Sequence, residues 1–242
     1  MKKQKCQLIV ALDVDTLEEA RRIVNILDDS VNIYKVGGLF TIVGPDIIRF
    51  LKEAGKGVFL DQKLYDIPKT VSYSTSGAIV MSSKFQQAGV PHVSGLYMFT
   101  VHIMGGKSML QEAVKANKET AKKCHIQPPL VIGVTVLTSD TNEENLTQTV
   151  LERARLAKDA GLDGAVASVH EAKLIRNEFG NDFVIVTPGI RPLGGAAEDQ
   201  KRIATPKQAV ENGSNYLVVG RPIIAAKDPL SSAKKILEEM KG

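Results

Sequence analysis

The chain has 242 residues, of which 43% are hydrophobic and 24% are charged, and its formal net charge at pH 7 is +4. This composition is ordinary for a globular protein with a sizeable core. Basic residues alternate with acidic ones, so the charge does not favour nucleic acid as a partner. The two cysteines, Cys6 and Cys124, form no metal-binding spacing, which favours a reducing, cytoplasmic location. No apolar run reaches the length of a membrane span, and the first one is too short for a signal peptide.

Short apolar runs rich in β-branched residues alternate with longer amphipathic segments along the whole chain. Such runs are typical of buried parallel strands. The predicted strands span residues 8–12, 33–36, 57–60, 98–101, 130–134, 164–167, 183–186 and 216–219. The predicted helices include residues 17–27, 45–54, 151–160 and 171–179. Thr16 and Glu19 predict a capping box at the first helix, and Gly161 and Gly180 follow predicted helix ends.

Eight β/α repeats in one domain predict an α/β fold, a single (β/α)8 TIM barrel over residues 1–242. A doubly wound open sheet is the alternative, although no G-x-G-x-x-G follows the first strand. In either architecture the functional site lies beyond the carboxyl ends of the strands. Residues with useful chemistry follow the predicted strands, namely Asp13, Lys35, Asp61, Lys63, His102, residues 135–139, Ser168, residues 188–191, Gly220 and Arg221.

A cluster of charges follows the third predicted strand in the pattern D-x-K-x-x-D, formed by Asp61, Lys63 and Asp66. Residues two apart on a strand point to the same side, and Lys35 ends the neighbouring strand. Charges at a barrel mouth are costly unless opposite signs compensate one another, which these four can do. The pattern fits a catalytic charge array. It fits equally a structural ion-pair network in which Asp66 caps a helix that starts near Pro68.

A second group of residues predicts a phosphate site near the ends of the last two strands. The segments V-T-P-G-I-R-P (186–192) and V-V-G-R-P (218–222) each place an arginine after a strand. Gly220 permits close approach of a ligand to the backbone. The glycine-rich segment 193–200 predicts a loop that closes over the phosphate, with Gln200 as a donor. The alternative is a solvent loop beside surface arginines.

Taken together, these segments resemble the orotidine 5′-monophosphate decarboxylase family. The matching stretches are A-L-D (11–13), K-V-G (35–37), F-L-D-Q-K-L-Y-D-I-P-K-T (59–70), V-H-I-M-G-G (101–106), V-T-V-L-T-S (134–139), G-L-D-G-A-V-A-S (161–168), T-P-G-I-R-P (187–192) and V-V-G-R-P (218–222). They occur in the family's order and cover nearly the whole chain. D-x-K-x-x-D also occurs in related sugar-phosphate enzymes, whereas D-I-P-x-T and T-P-G-I-R-P are specific to the orotidylate enzyme.

The resemblance implies a decarboxylase that converts orotidine 5′-monophosphate to UMP and carbon dioxide without a metal or organic cofactor. It implies that Lys63 donates a proton to C6 of the pyrimidine and that Asp61 lies against the substrate carboxylate. Lys35 and Asp66 complete an alternating charge array. The implied substrate contacts are Asp13 and Lys35 at the ribose, Thr138 with Ser139 at the pyrimidine, and Arg191, Gln200, Gly220 and Arg221 at the phosphate end.

The resemblance also implies a homodimer in which Asp66 and Thr70 reach into the partner subunit's site. The chain departs from the family's pattern at Tyr65, where histidine is usual, and at Lys69, where asparagine is common. Residues 82–97 lengthen the usual spacing, which predicts a surface insertion there. Two other functions stay open at this point. One is a metal-dependent decarboxylase or aldolase acting on a sugar phosphate, and the other is a non-catalytic nucleotide-binding barrel.

Overall fold

The computed structural model of the chain describes residues 6–84, 95–137, 145–192 and 204–242. Eight parallel strands form a closed barrel in chain order. They are β1 (Gln7–Ala11), β2 (Ile33–Val36), β3 (Gly57–Leu64), β4 (Gly95–His102), β5 (Leu130–Val134), β6 (Gly164–Val166), β7 (Val184–Thr187) and β8 (Tyr216–Val219). The barrel closes where β8 pairs with β1, with Leu8 opposite Leu217. The predicted (β/α)8 barrel is therefore confirmed, and the open sheet is wrong.

Helices follow the strands and surround the barrel. They are α1 (Leu17–Leu27), α2 (Gly38–Val43), α3 (Asp46–Glu53), α4 (Pro68–Lys84), α5 (Gly106–Lys123), α6 (Leu146–Asp159), α7 (Val169–Phe179), α8 (Pro206–Glu211), α9 (Arg221–Ile224) and α10 (Pro229–Glu239). The hydroxyl of Thr16 accepts the N–H of Glu19, as an N-cap should. Gly180 ends α7 with a φ of 71°, a conformation that suits glycine. Of the helices in the described segments, none is long and apolar enough to cross a membrane.

The core has two parts because successive side chains of each strand point to opposite faces. In β1, Leu8 and Val10 pack in the larger cluster between the barrel and the helices. Ile9 and Ala11 pack in the smaller cluster, which is built from strand residues inside the barrel. The strands are buried on both faces, which explains why they read as continuous apolar runs.

Three elements differ from their predicted bounds by three residues or more at one end, and the others agree to within two residues. β3 extends four residues beyond 60. The predicted strand stops at 60 because the next three residues are polar or charged and interrupt the apolar run. β4 begins at Gly95 rather than at 98, and α6 begins at Leu146 rather than at 151. In the predicted insertion near 82–97, residues 82–84 end α4 and residues 95–97 begin β4. The middle of that stretch lies outside the described residues, so the insertion stays a prediction.

We predict that Gly164→Ala destabilises the barrel, because a β-carbon at Gly164 would clash with the carbonyl group of Val184 on the adjacent strand. Forcing two strands apart should lower the free energy of unfolding by about 1–3 kcal/mol. Urea denaturation measures this change. Gly77→Ala is the matched control, since a β-carbon there meets nothing within 4 Å and α4 gains a better helix former. Equal unfolding midpoints for wild type and Gly164→Ala would contradict the prediction.

Candidate active site

A cavity of about 260 Å³ opens at the carboxyl ends of the strands. Its charged lining residues are Asp13, Lys35, Asp61, Lys63, Arg191 and Arg221, and Gly220 lines it as well. These residues lie near the ends of β2 and β3 or follow β1, β7 and β8. Seven predicted site residues from distant parts of the chain therefore share one cavity. Apolar side chains such as Phe59, Val134 and Val186 form the rest of its wall.

The charges in the cavity alternate in sign along a continuous line. Lys63 Nζ lies 2.9 Å from Asp61 Oδ2, and Lys35 Nζ lies 3.6 Å from the same oxygen. Lys35 Nζ also lies 3.2 Å from Asp13 Oδ1. The Asp61 side chain is only 13% exposed, so its charge depends on the two ammonium groups for compensation. The predicted grouping of Lys35, Asp61 and Lys63 is present in the structure.

Two glycines lie beside this line of charges. A β-carbon at Gly37 would lie 3.3 Å from the carbonyl oxygen of Asp61. A β-carbon at Gly220 would lie 3.4 Å from Oδ2 of Asp13. Asp13 is therefore the link between the lysine–aspartate pairs and the backbone that follows β8. Lys63, near the end of β3, and Gly220, after β8, both line the cavity.

The backbone at the end of β3 leaves the regular strand geometry. Leu60 pairs with Phe99 and Leu64 pairs with Val101, so three residues of β3 face a single residue of β4. Within this bulge Lys63 has a φ of 47°, in the left-handed region that non-glycine residues seldom occupy. The hydroxyl of Thr100 accepts the N–H of Lys63 at 2.8 Å and donates to Asp61 Oδ1 at 2.9 Å.

Sequence reasoning missed Thr100. The available signal was a polar residue inside the apolar run of the fourth predicted strand, at a position the structure shows to be fully buried. A buried hydroxyl requires hydrogen-bond partners, so such a residue suggests a polar network behind the strand. Nothing in the sequence indicated which residues those partners are.

Two arginines follow β7 and β8, on the side of the barrel away from β3. Arg191 is buried, and its Nη1 donates to the carbonyl of Ile190 at 3.1 Å. Arg221 is exposed and begins α9, directly after Gly220. Both arginines line the same cavity as the lysines. A ligand with an anionic group at this end could contact them while its other end reaches Lys63.

Some predicted site residues are not brought into the cavity. Asp66 is exposed, does not line the cavity, and accepts the N–H of Ile67 through its Oδ1 at 2.6 Å. Thr70 is half-buried in the first turn of α4 and does not line the cavity either. The predicted contacts at Thr138, Ser139 and Gln200 lie outside the described residues. Within one chain, the Asp66 side chain therefore hydrogen-bonds to the backbone before α4 and does not line the cavity.

The chain matches the family model described as "Orotidine 5'-phosphate decarboxylase / HUMPS family" over residues 6–236. The chain belongs to this family. The match covers every strand of the barrel and every described cavity residue.

Relatives and solved structures agree with this assignment over nearly the full length. The chain is 44% identical to an orotidine 5'-phosphate decarboxylase of Carboxydothermus hydrogenoformans, covering 98% of this chain and 96% of the relative. It is 43% identical to one of Syntrophotalea carbinolica, covering 97% and 94%. The crystal structure of orotidine 5'-phosphate decarboxylase from Lactobacillus acidophilus superposes with a TM-score of 0.81 at 34% identity, covering 98% of this chain and all of that one.

In this member of the family, the described segments hold no group of three or more His, Cys, Asp or Glu side chains placed to bind a metal ion. His102 lies at the end of β4. Its ring lies 5.8 Å from that of Tyr65, and its Nδ1 accepts the N–H of Met104 at 3.4 Å. Burial, and then the positive charges of Arg153 and Lys63, lower the pKa of His102 below its ordinary value of 6.5.

We predict that His102 makes the protein less stable in mild acid. Its lowered pKa means that the folded chain binds fewer protons than the unfolded chain just below pH 6.5. Stability therefore falls as the pH drops through this interval, and the effect disappears when the group cannot titrate. His102→Gln should show a smaller loss of Tm than wild type between about pH 7 and about pH 5.5. His170→Gln, at an exposed position, is the control and should keep the wild-type loss.

Proposed function

We propose that this protein decarboxylates orotidine 5′-monophosphate to UMP in pyrimidine biosynthesis. The observation that carries the proposal is the single line of groups from Lys63 through Asp61, Lys35 and Asp13 to the phosphate end at Arg221. A nucleotide has the same order of groups, with the base at one end, the ribose in the middle and the phosphate at the other end. The relative from Syntrophotalea carbinolica, which is named orotidine 5'-phosphate decarboxylase, matches 97% of this chain, and this match supports the same substrate.

The reaction breaks the bond between C6 of the pyrimidine and the carboxylate carbon, and the electron pair stays on C6. Carbon dioxide leaves, and a proton must then reach C6. The Lys63 ammonium stabilises the developing negative charge and donates that proton, after which it regains one from solvent. Asp61 lies beside the departing carboxylate and, together with Lys35, fixes the position of Lys63. The fixed charges stabilise the carbanion, as a cofactor would otherwise do. We therefore propose that the reaction needs no metal or organic cofactor.

The rest of the nucleotide would be held by the remaining residues of the line. Asp13 and Lys35 bind ribose hydroxyls, which suits a carboxylate and an ammonium that already contact each other at 3.2 Å. Arg191 and Arg221 bind the phosphate, with Gly220 allowing close approach, and Gln200 adds a donor. Thr138, with Ser139, contacts the pyrimidine. Phosphate binding far from C6 can then contribute to the rate by fixing the substrate against Lys63.

We further propose a homodimer in which Asp66 and Thr70 complete the partner subunit's site. Both lie outside their own chain's cavity lining. Three apolar side chains near them are unusually exposed, namely Tyr65 at 62%, Ile67 at 65% and Tyr73 at 65%. An exposed apolar patch of this kind is typical of an interaction surface.

We also propose that residues 1–242 form one catalytic domain with an insertion near 82–97. The protein is located in the cytoplasm and has no nucleic-acid or membrane partner.

We predict that Lys63→Ala abolishes turnover of orotidine 5′-monophosphate. Loss of the proton donor and of the ammonium beside C6 should reduce kcat by about 10³-fold or more. UMP binding should stay largely in place, because the phosphate and ribose contacts are intact. Lys173→Ala, on the exposed face of α7, is the matched control and should keep wild-type kcat. Substantial residual turnover in Lys63→Ala would rule out the assigned role.

We predict that two inactive variants complement each other if sites are shared between subunits. Lys63→Ala and Asp66→Ala should each be inactive or strongly impaired as homodimers. A hybrid dimer, purified with one affinity tag on each subunit, has one doubly altered site and one fully native site. Such a hybrid should recover about half of the wild-type activity. No recovery in a hybrid shown to be dimeric would place Asp66 outside the partner's site.

A further inference from the structure

The bulge at the end of β3 leaves part of its backbone without a regular strand partner. Asp61, Gln62 and Lys63 all lie between the pairs that join Leu60 to Phe99 and Leu64 to Val101. Extra residues in a strand interrupt the ladder and leave groups unpaired. Thr100 is the one β4 residue that faces all three, and its side chain takes over the pairing.

The Thr100 hydroxyl uses both of its hydrogen-bonding capacities on the two charged residues of the bulge. It accepts the backbone N–H of Lys63 at 2.8 Å and donates its own proton to Asp61 Oδ1 at 2.9 Å. With Oδ1 held by Thr100, the other oxygen, Oδ2, is the one that faces the ammonium groups of Lys63 and Lys35. The hydroxyl therefore orients the carboxylate as well as the backbone.

Thr100 has no exposed surface and does not line the cavity, so it acts only through its neighbours. Lys63 has a left-handed backbone, a conformation that persists only where surrounding contacts hold it. Without the hydroxyl, the Lys63 N–H loses the hydrogen-bond partner that it has in this structure. The backbone of Lys63 can then relax, and a shift of about 1 Å in a catalytic group can reduce a rate about 100-fold.

We propose that Thr100 is a positioning residue for the reaction, holding Lys63 in its left-handed conformation and Asp61 in the orientation that pairs it with both lysines. This inference rests on the proposed function only for its effect on rate. The geometric part, the restraint of the Lys63 backbone, is independent of the substrate.

The test compares Thr100→Val, which keeps the shape and removes the hydroxyl, with Thr100→Ser, which keeps the hydroxyl. Thr100→Val should lower kcat by about 10- to 100-fold, with the Kd of UMP changed less than about twofold. Thr100→Ser should return kcat to within about threefold of wild type. Thr75→Val is the matched control. Thr75 is also fully buried, but its hydroxyl has no hydrogen-bond partner among the described residues, so kcat should not change.

A second readout follows the Lys63 amide itself in protein labelled with ¹⁵N-lysine, with its signal assigned by its loss in Lys63→Ala. Amide hydrogen exchange at Lys63 should be at least about tenfold faster in Thr100→Val and near wild type in Thr100→Ser. A merely structural role would lower Tm and UMP binding together without this local change. Should the valine variant not fold, Thr100→Ala makes the same comparison with Thr100→Ser.

The outcomes separate this inference from the proposed function. Wild-type kcat in Thr100→Val, or an equal loss in Thr100→Ser, overturns the positioning role. If the wild-type protein does not decarboxylate orotidine 5′-monophosphate, the proposed function fails, and the amide exchange alone decides the inference. Unchanged exchange at Lys63 in Thr100→Val then overturns it, and faster exchange that serine reverses supports it.

Discussion

The Asp61 carboxylate, held between the ammonium groups of Lys63 and Lys35, is the interaction on which the site depends. Two ammonium groups within 3.6 Å of one oxygen would repel each other strongly if that oxygen carried no charge. A largely buried carboxylate would in turn be costly without them. Each charge is therefore stabilised by the others, and the lysine at the end of the line is held in place before any substrate arrives.

The barrel brings these charges together, and local backbone detail orients them. Parallel strands end at the same rim, so Lys35 at the end of β2 and Asp61 near the end of β3 become neighbours. The bulge in β3 then turns Lys63 back towards Asp61. Glycine at 37 leaves room for the backbone to lie close to the carbonyl oxygen of Asp61. The geometry of the site therefore depends on the fold, because the packing of the strand ends determines the spacing of the charges.

Much of this arrangement could be predicted from sequence, and the reasons are physical. Strands at 33–36, 130–134 and 216–219 have the predicted bounds, because buried parallel strands are continuous apolar runs. The charged end of β3 was not predicted as strand because it breaks such a run. The pairing of Thr100 with Lys63 joins residues 37 apart through a bulge, and no local pattern carries that information. The proposed roles of Asp66 and Thr70 depend on a second chain, which a single sequence does not display.

The most direct test of the account is the ultraviolet absorbance of orotidine 5′-monophosphate mixed with the purified protein in excess EDTA. We expect a rapid change to the spectrum of UMP, because fixed charges at Lys63, Asp61 and Lys35 need no divalent metal to stabilise the carbanion. An unchanged spectrum from protein that still binds UMP would contradict it and indicate a nucleotide-binding barrel without this activity. An unchanged spectrum without binding would contradict it as well and direct attention to sugar phosphates with magnesium.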